Sequence, residues 1–219
     1  MAVDENTIKE AIKELKESSK KRNFTQTFDL IVNLKNLDLK KPDNHVDLYV
    51  QLHNSKGRKS NICALVGPEL QPEAEKVCDK TVPQHDFKKY AEDKKLIKNL
   101  ASECHFFIAQ ANIMPQVATT FGKVFGPKKK MPNPKAGCVV PPNASLKPLY
   151  ERLQKTIRLY AKERPLIQVP VGDENMDEKQ VIENVLTAYD QLIHHLPLEK
   201  NNIKSVFIKL TMSKPVMIK

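Results

Sequence analysis

The stretch NFTQTFDLIVNLKNLD, Asn23 to Asp38, decides how the chain is read, because Phe28, Leu30, Val32 and Leu34 alternate with neighbours most of which are polar. Every second side chain of a strand faces the same way, so this pattern predicts a β-strand with one buried face. Upstream, Ile8, Ile12 and Leu15 recur at helical spacing within Asp4 to Ser19, and downstream Val46 to Leu52 alternates again. One helix and two strands are too little to close a core. The missing partners stand at the far end of the chain: strands Thr156 to Ala161 and Leu166 to Val171, a helix Asp177 to Leu196, and an alternating strand Ser205 to Leu210. The two chain ends, residues 1–58 and 156–219, are therefore expected to build one domain, with residues 59–155 inserted into it.

The insertion has a different texture. NICALVG, from Asn61, is a short continuous apolar run of the kind that forms strands covered on both faces, and HFFIAQ, His105 to Gln110, is another. Helical stretches, Pro72 to Cys78 and the Lys-rich Asp86 to Leu100, separate them, and Leu146 to Leu153 reads as a closing helix after a Pro- and Lys-rich loop from Gly122 to Pro142. Strands alternating with helices imply an open parallel sheet, so the fold class is α/β. The polar HNSKGRK, His53 to Lys59, suits a turn or a link between domains. Two crossings, near Lys59 and Lys155, would join the domains, and hinge motion between them is expected.

Thirty-six Lys and Arg against 26 Asp and Glu give a formal net charge of +10. Such an excess attracts polyanions, nucleic acid first among them, with an anionic membrane or an acidic protein as alternatives. The N-terminal stretch carries charges throughout and has no secretory apolar core, and no other segment is apolar enough to span a bilayer. Cys63, Cys78, Cys104 and Cys138 form no C-x-x-C pair, which points to buried free thiols and a reducing, cytoplasmic setting rather than a metal or redox site.

Enzyme signatures are absent: there is no H-E-x-x-H, G-x-S-x-G or G-x-G-x-x-G, and Gly122 and Gly126 are not followed by the Gly-Lys-Ser or Gly-Lys-Thr of a phosphate-binding loop. His194 and His195 are adjacent on a helix, so their rings diverge by about 100° and do not share a metal. His105 is expected in the core. No catalytic group, metal or cofactor is expected. What remains are three polar segments. KKRNFTQT, Lys20 to Thr27, mixes cations, hydrogen-bonding side chains and one aromatic ring, as RNA sites do, but a simple helix-to-strand connection with Phe24 buried fits it equally. GPKKKMPNPKAG, Gly126 to Gly137, is a basic loop whose ammonium groups are expected to face solvent, as a phosphate contact or as an ordinary charged turn. LTMSKP, Leu210 to Pro215, is a strand-end turn that allows close backbone approach to a partner or simply buries Met212.

RNFTQTFDLIVNLKNLDLKKP near the start, GKVFGPKKKMPNPKAG in the middle and SVFIKLTMSKPVMI at the end are similar to the first-numbered stalk protein family of the large ribosomal subunit, in its archaeal and eukaryotic branch, and the resemblance runs in order over nearly the whole chain. The resemblance implies two domains: a discontinuous split β-α-β domain from both termini that grips structured rRNA, and an inserted Rossmann-like three-layer α/β domain that binds no dinucleotide. It places RNA contacts at Arg22, Asn23, Phe24, Gln26 and Thr27, at Gln168, Val171 and Gly172, and at Ser205, Thr211, Met212 and Ser213. The basic loop with Lys128, Lys129 and Lys130 would face tRNA. The family usually has Gly where this chain has Ser213 and often His where it has Gln168, which puts a positive φ or a tight approach to ribose in question. Implied partners are large-subunit rRNA, exit-site tRNA and the chain's own mRNA, with a monomer outside the ribosome. The RNA-reading surface is expected at one sheet edge, with the Phe24 and Thr211 regions side by side. A nucleotide-binding α/β enzyme and a nonspecific DNA-coating protein are the competing classes.

Overall fold

A computed structural model describes residues 3–219, the Asp43 side chain apart. The chain falls into two compact units, Met1–Arg58 with Lys155–Lys219, and Lys59–Gln154.

In the first unit, α1 (Glu5–Ser18) buries Ile8, Ala11, Ile12 and Leu15. Strand β1 (Thr27–Leu34) follows the alternation of its sequence, with Phe28, Leu30, Val32 and Leu34 inward. After β2 (Val46–Gln51) the chain leaves for the second unit and returns through β7 (Thr156–Ala161), which pairs antiparallel with β2. Strand β8 (Leu166–Asp173), helix α7 (Glu178–His195), strand β9 (Ile203–Leu210) and the short β10 (Val216–Met217) complete the unit. The main sheet has the order β10-β9-β1-β8, every pair antiparallel. β8 and β9, joined through α7, thus flank β1: a split β-α-β arrangement with the N-terminal strand in its middle. One apolar cluster joins Ile8, Ile12 and Leu15 to the inward residues of β1, β8 and β9 and to Val181, Val185, Ala188 and Leu192 of α7. Each such fully buried aliphatic side chain contributes about 1.5 to 3 kcal/mol. Both helices pack on one face of the sheet, and the other face is left open.

The second unit is a parallel sheet of order β4-β3-β5-β6: β3 (Ile62–Val66), β4 (Lys80–Pro83), β5 (Phe106–Gln110) and β6 (Val139–Val140). Helices α2 (Gln71–Val77), α3 (Phe87–Glu92), α4 (Lys94–Glu103), α5 (Met114–Phe125) and α6 (Leu146–Gln154) belong to it. All five residues of β3 are buried, as a strand covered on both faces requires. Three sequence expectations are corrected. The helix expected over Asp86 to Leu100 is two, because Asp93 is extended and its carboxylate accepts the Lys95 amide at 2.7 Å, capping a fresh start. The loop expected from Gly122 begins only after α5, whose Val117, Phe121 and Phe125 stack four residues apart on one buried face. His105 is exposed rather than buried, its Nδ1 accepting the Asn61 amide at 3.2 Å.

Candidate nucleic-acid interface

The candidate site grows from the point where β1 begins and β9 ends. Phe28 pairs with Leu210 in the register, so the residues just outside that pair, Thr27 and Thr211, meet. The Thr27 amide donates to the Thr211 Oγ1 at 3.1 Å, and the two hydroxyl oxygens are 3.1 Å apart. The turn after β9 is closed by Ser213: its Oγ accepts the Leu210 amide at 2.8 Å, and its own amide donates to the Leu210 carbonyl at 3.1 Å. Among the described residues the non-glycine ones with positive φ are Asn36, Lys129 and Glu199, and Ser213 is not one of them. The turn therefore accepts serine without backbone strain, and the hydroxyl adds a bond that glycine could not make.

Ahead of β1, Arg22, Asn23 and Phe24 are exposed, Phe24 by 49%, and Met212 on the facing turn is exposed by 61%. Both apolar side chains could have been core residues, and neither is. Lys20, Lys21, Arg22 and Lys214 are exposed in the same two segments, so two projecting apolar groups stand among four cations.

The open sheet face continues from this end. Thr27, Asp29, Ile31 and Asn33 of β1 point outward, flanked by Lys209, Phe207 and Ser205 of β9 and by Pro170, Gln168 and Leu166 of β8. The six steps from Thr27 to Asn33, at about 3.3 Å each, give this face a length of roughly 20 Å. Ser205 lies at its far end, its Oγ accepting from Asn33 Nδ2 at 2.9 Å, while Gln168 sits midway opposite Ile31. Asp29 is an acid in this face, and Asp173 of β8 is another, opposite Thr27 in the register. Burial pushes the Asp29 carboxyl upward, against the pull of Lys209 across the strand pair and of a hydrogen bond from Gln168.

The structure thus gathers Arg22, Asn23, Phe24, Thr27, Gln168, Ser205, Thr211, Met212 and Ser213 around one end and one face of the sheet. The surface is not a sheet edge, since β1 and β9 both lie inside the strand order; it is the open face and the end of the central strands. Three candidates are not surface groups. The Val171 side chain is fully buried in the core, and Gly172 packs so close to α7 that an added Cβ would lie 3.0 Å from Val181. Gln26 is 1% exposed. Conversely, Asp29, Phe207 and Lys209 were not singled out in the sequence, although the same period of two that fixed the inward residues also fixes these as outward.

Lys128, Lys129 and Lys130 belong to the second unit, and their ammonium groups do not all face solvent as expected. Lys130 Nζ donates to the Ala101 and Cys104 carbonyls at 2.7 Å each, and Lys128 Nζ to the Lys98 carbonyl at 3.2 Å and Ser102 Oγ at 2.9 Å. These cations satisfy the carbonyls at the C-terminal end of α4, where the helix dipole favours positive charge. The loop is exposed at Lys128 and Lys129 and anchored through Lys130.

Within the second unit's sheet the strand order reverses between β3 and β5, the place where open α/β sheets hold nucleotides. Here Gln110 occupies it: fully buried, it accepts the Gly67 amide at 2.9 Å and donates to Glu69 at 2.8 Å. The Gly67 amide at this place is thus hydrogen-bonded within the protein. Among the described residues no group of three or more His, Cys, Asp or Glu is arranged to hold a metal. Cys63, Cys78, Cys104 and Cys138 are free thiols, and burial raises Cys78 and Cys138 each to about 11, which keeps them protonated and unreactive. No described helix is long and apolar enough to cross a membrane.

Against known proteins, the sequence matches the model of the ribosomal protein L1p/L10e family over residues 15–214. It is 38% identical over 216 residues to the large ribosomal subunit protein uL1 of Methanothermococcus thermolithotrophicus, covering 99% of each chain. Identity to the protein of the same name from Methanobrevibacter smithii is 40%, over 96% of this chain and 98% of that one, and to the one from Thermococcus kodakarensis 36%, over 100% and 99%.

Proposed function

The chain belongs to the ribosomal protein L1p/L10e family, and from that premise we propose that the Thr27–Thr211 end of the open sheet face grips a structured element of large-subunit rRNA. The protein is a structural constituent of the large ribosomal subunit, works in the cytoplasm as part of the ribosome, and is not an enzyme. The rRNA element is the base of the mobile stalk beside the tRNA exit site, where the protein assists release of the departing tRNA. The Lys128–Lys130 loop is the tRNA-facing group. Outside the ribosome the protein is a monomer that binds a copy of the rRNA site on its own mRNA and represses translation.

The observation that supports this reading most is the pairing of two hydroxyls, Thr27 and Thr211, at the junction of two segments that also expose Phe24 and Met212 and the cations Lys20, Lys21, Arg22 and Lys214. Hydroxyls and the Asp29 carboxylate suit ribose 2′-hydroxyls, apolar side chains pack on bases or sugars, and cations neutralise phosphates. Specificity then comes from the shape of a bent, irregular RNA, and the lysines add nonspecific attraction.

Crosslinking the protein to total cellular RNA and sequencing the attached fragments tests it. One large-subunit rRNA site should dominate, with a lesser site on the protein's own mRNA. Affinity for that rRNA should fall with a log-log salt slope of about 0.7 to 0.9 per phosphate neutralised. Crosslinks scattered over unrelated RNAs, a flat salt response, or equal affinity for duplex DNA at matched salt would each remove the reading.

A further inference from the structure

Gln26 is a polar side chain with almost no exposure, and both ends of its amide are hydrogen-bonded inside the protein. Its Nε2 donates to Ser19 Oγ at 2.9 Å and, at a longer 3.4 Å, to Glu174 Oε2. Its Oε1 accepts the Met212 amide at 3.2 Å, and its backbone carbonyl accepts the Glu174 amide at 3.0 Å. Those partners lie on three separate segments: the residue just after α1, the turn between β8 and α7, and the turn after β9. A single amide therefore ties together the elements that surround the Thr27–Thr211 pair. The Met212 bond is the telling one, since Met212 projects outward while its backbone is held from beneath.

We infer that Gln26 is the positioning residue of the RNA interface: it does not touch RNA, and it fixes the Thr211–Ser213 turn against the start of β1 so that Thr211 and Met212 meet RNA in one geometry. This rests on the RNA reading given above. The chemistry explains the residue type. A side-chain amide offers donors on one side and an acceptor on the other; a carboxylate there would face Glu174 as a like charge, and an aliphatic group would leave the Met212 amide bond unmade. A turn released from Gln26 samples alternatives, and each productive encounter then has to reorder it.

The test uses the full chain with Gln26→Leu, Gln26→Glu, and Gln26→Glu combined with Glu174→Gln, which reverses the donor and acceptor of that pair while keeping an oxygen toward the Met212 amide. Binding is measured to a transcript of the large-subunit rRNA fragment selected by crosslinking and to duplex DNA at matched salt. Gln26→Leu should weaken rRNA binding about tenfold, the worth of one hydrogen bond, and leave DNA binding unchanged. The double variant should recover to within about threefold of the parent, and Gln26→Glu alone should not. In amide spectra the Met212 and Thr211 resonances should shift in Gln26→Leu while those of α7 stay. Parental rRNA affinity in Gln26→Leu, or losses equal for rRNA and DNA, overturns the inference. Should the parent itself not prefer rRNA, the RNA reading falls, and unmoved Met212 and Thr211 resonances would then overturn the positioning role by themselves.

Discussion

Thr27 and Thr211, 184 residues apart in sequence, share a hydroxyl contact of 3.1 Å, and the backbone amide of the first is satisfied by the side chain of the second. Thr211 is thus both a structural acceptor and an exposed donor. Replacing it with Val removes both roles at constant shape. rRNA affinity should fall by about 1 to 3 kcal/mol, roughly five- to 150-fold. Stability should fall by about 1 kcal/mol or less, because water can reach the freed Thr27 amide. Filter binding and a urea titration read the two effects, and an unchanged dissociation constant would take Thr211 out of the interface.

Asp29 is expected to oppose folding where it serves binding. Its carboxyl is raised from the ordinary 3.8, chiefly by burial, with Lys209 and Gln168 pulling the other way. A raised folded value means the folded chain holds its proton more tightly than the unfolded one, so this group favours folding below pH 3.8 and loses that contribution as pH rises through the folded value. Asp29→Asn, which cannot ionise, should therefore melt higher than the parent at pH 7, with the gap closing below pH 3.8. Its rRNA affinity should drop by about 1 kcal/mol through loss of a charged acceptor. A variant that melts lower at pH 7 contradicts the burial argument.

The inward half of the site's scaffold was legible because burial is periodic: Phe28, Leu30, Val32 and Leu34 could face only one way together, and the outward Asp29 follows from them. Gln26 was not legible. A glutamine among Lys, Arg and Asn before a strand has the composition of a surface loop, and only the arrival of segments from residues 174 and 212 buries it. The same holds for α5, where Pro115 and Gly122 masked the four-residue spacing of Val117, Phe121 and Phe125, and for β10, two residues long and specified by pairing with Ile208 and Phe207 rather than by its own pattern. Lys130 shows the converse. Its charge was legible, but its engagement with the end of α4 depended on where that helix stopped.

Lys56 gives a second, independent pH signature. It is buried, its Nζ donates to the Thr156 carbonyl at 3.0 Å, and burial lowers it to about 8 from 10.5. Between those values the unfolded chain binds more protons than the folded one, so this residue makes stability rise with pH across that window. The rise is at most about 3 kcal/mol for a shift of that size. Urea midpoints of the parent and of Lys56→Met at pH 7 and pH 10 isolate it. The parent should gain on the variant as pH increases, and Met should cost little at pH 7, where it removes a buried charge as well as a hydrogen bond. A difference that does not change with pH would show that Lys56 keeps its ordinary proton affinity in the fold.

Asn184 separates stability from binding on the covered side of the sheet. It lies fully buried on α7, donates Nδ2 to the Ser55 carbonyl at 3.0 Å and the Val171 carbonyl at 2.8 Å, and accepts the Asn54 amide through Oδ1 at 3.2 Å. One side chain thereby pins the segment around residue 55 to β8 and α7. That segment includes Gly57, whose φ of +86° and close approach to Asp173, 2.7 Å from an added Cβ, leave it no room to adjust. Asn184→Leu keeps the branched shape and strands three backbone groups, each worth about 1 kcal/mol or more when left unpaired. The expected loss is about 3 kcal/mol, a fall of roughly 6 to 12 °C in melting temperature for a chain of this size. rRNA affinity measured well below the transition should stay within about twofold, because Asn184 faces away from the open side. A folded variant with parental stability would mean that water or neighbouring groups satisfy those amides and carbonyls, and an affinity loss without a stability loss would place the RNA contact on the wrong face.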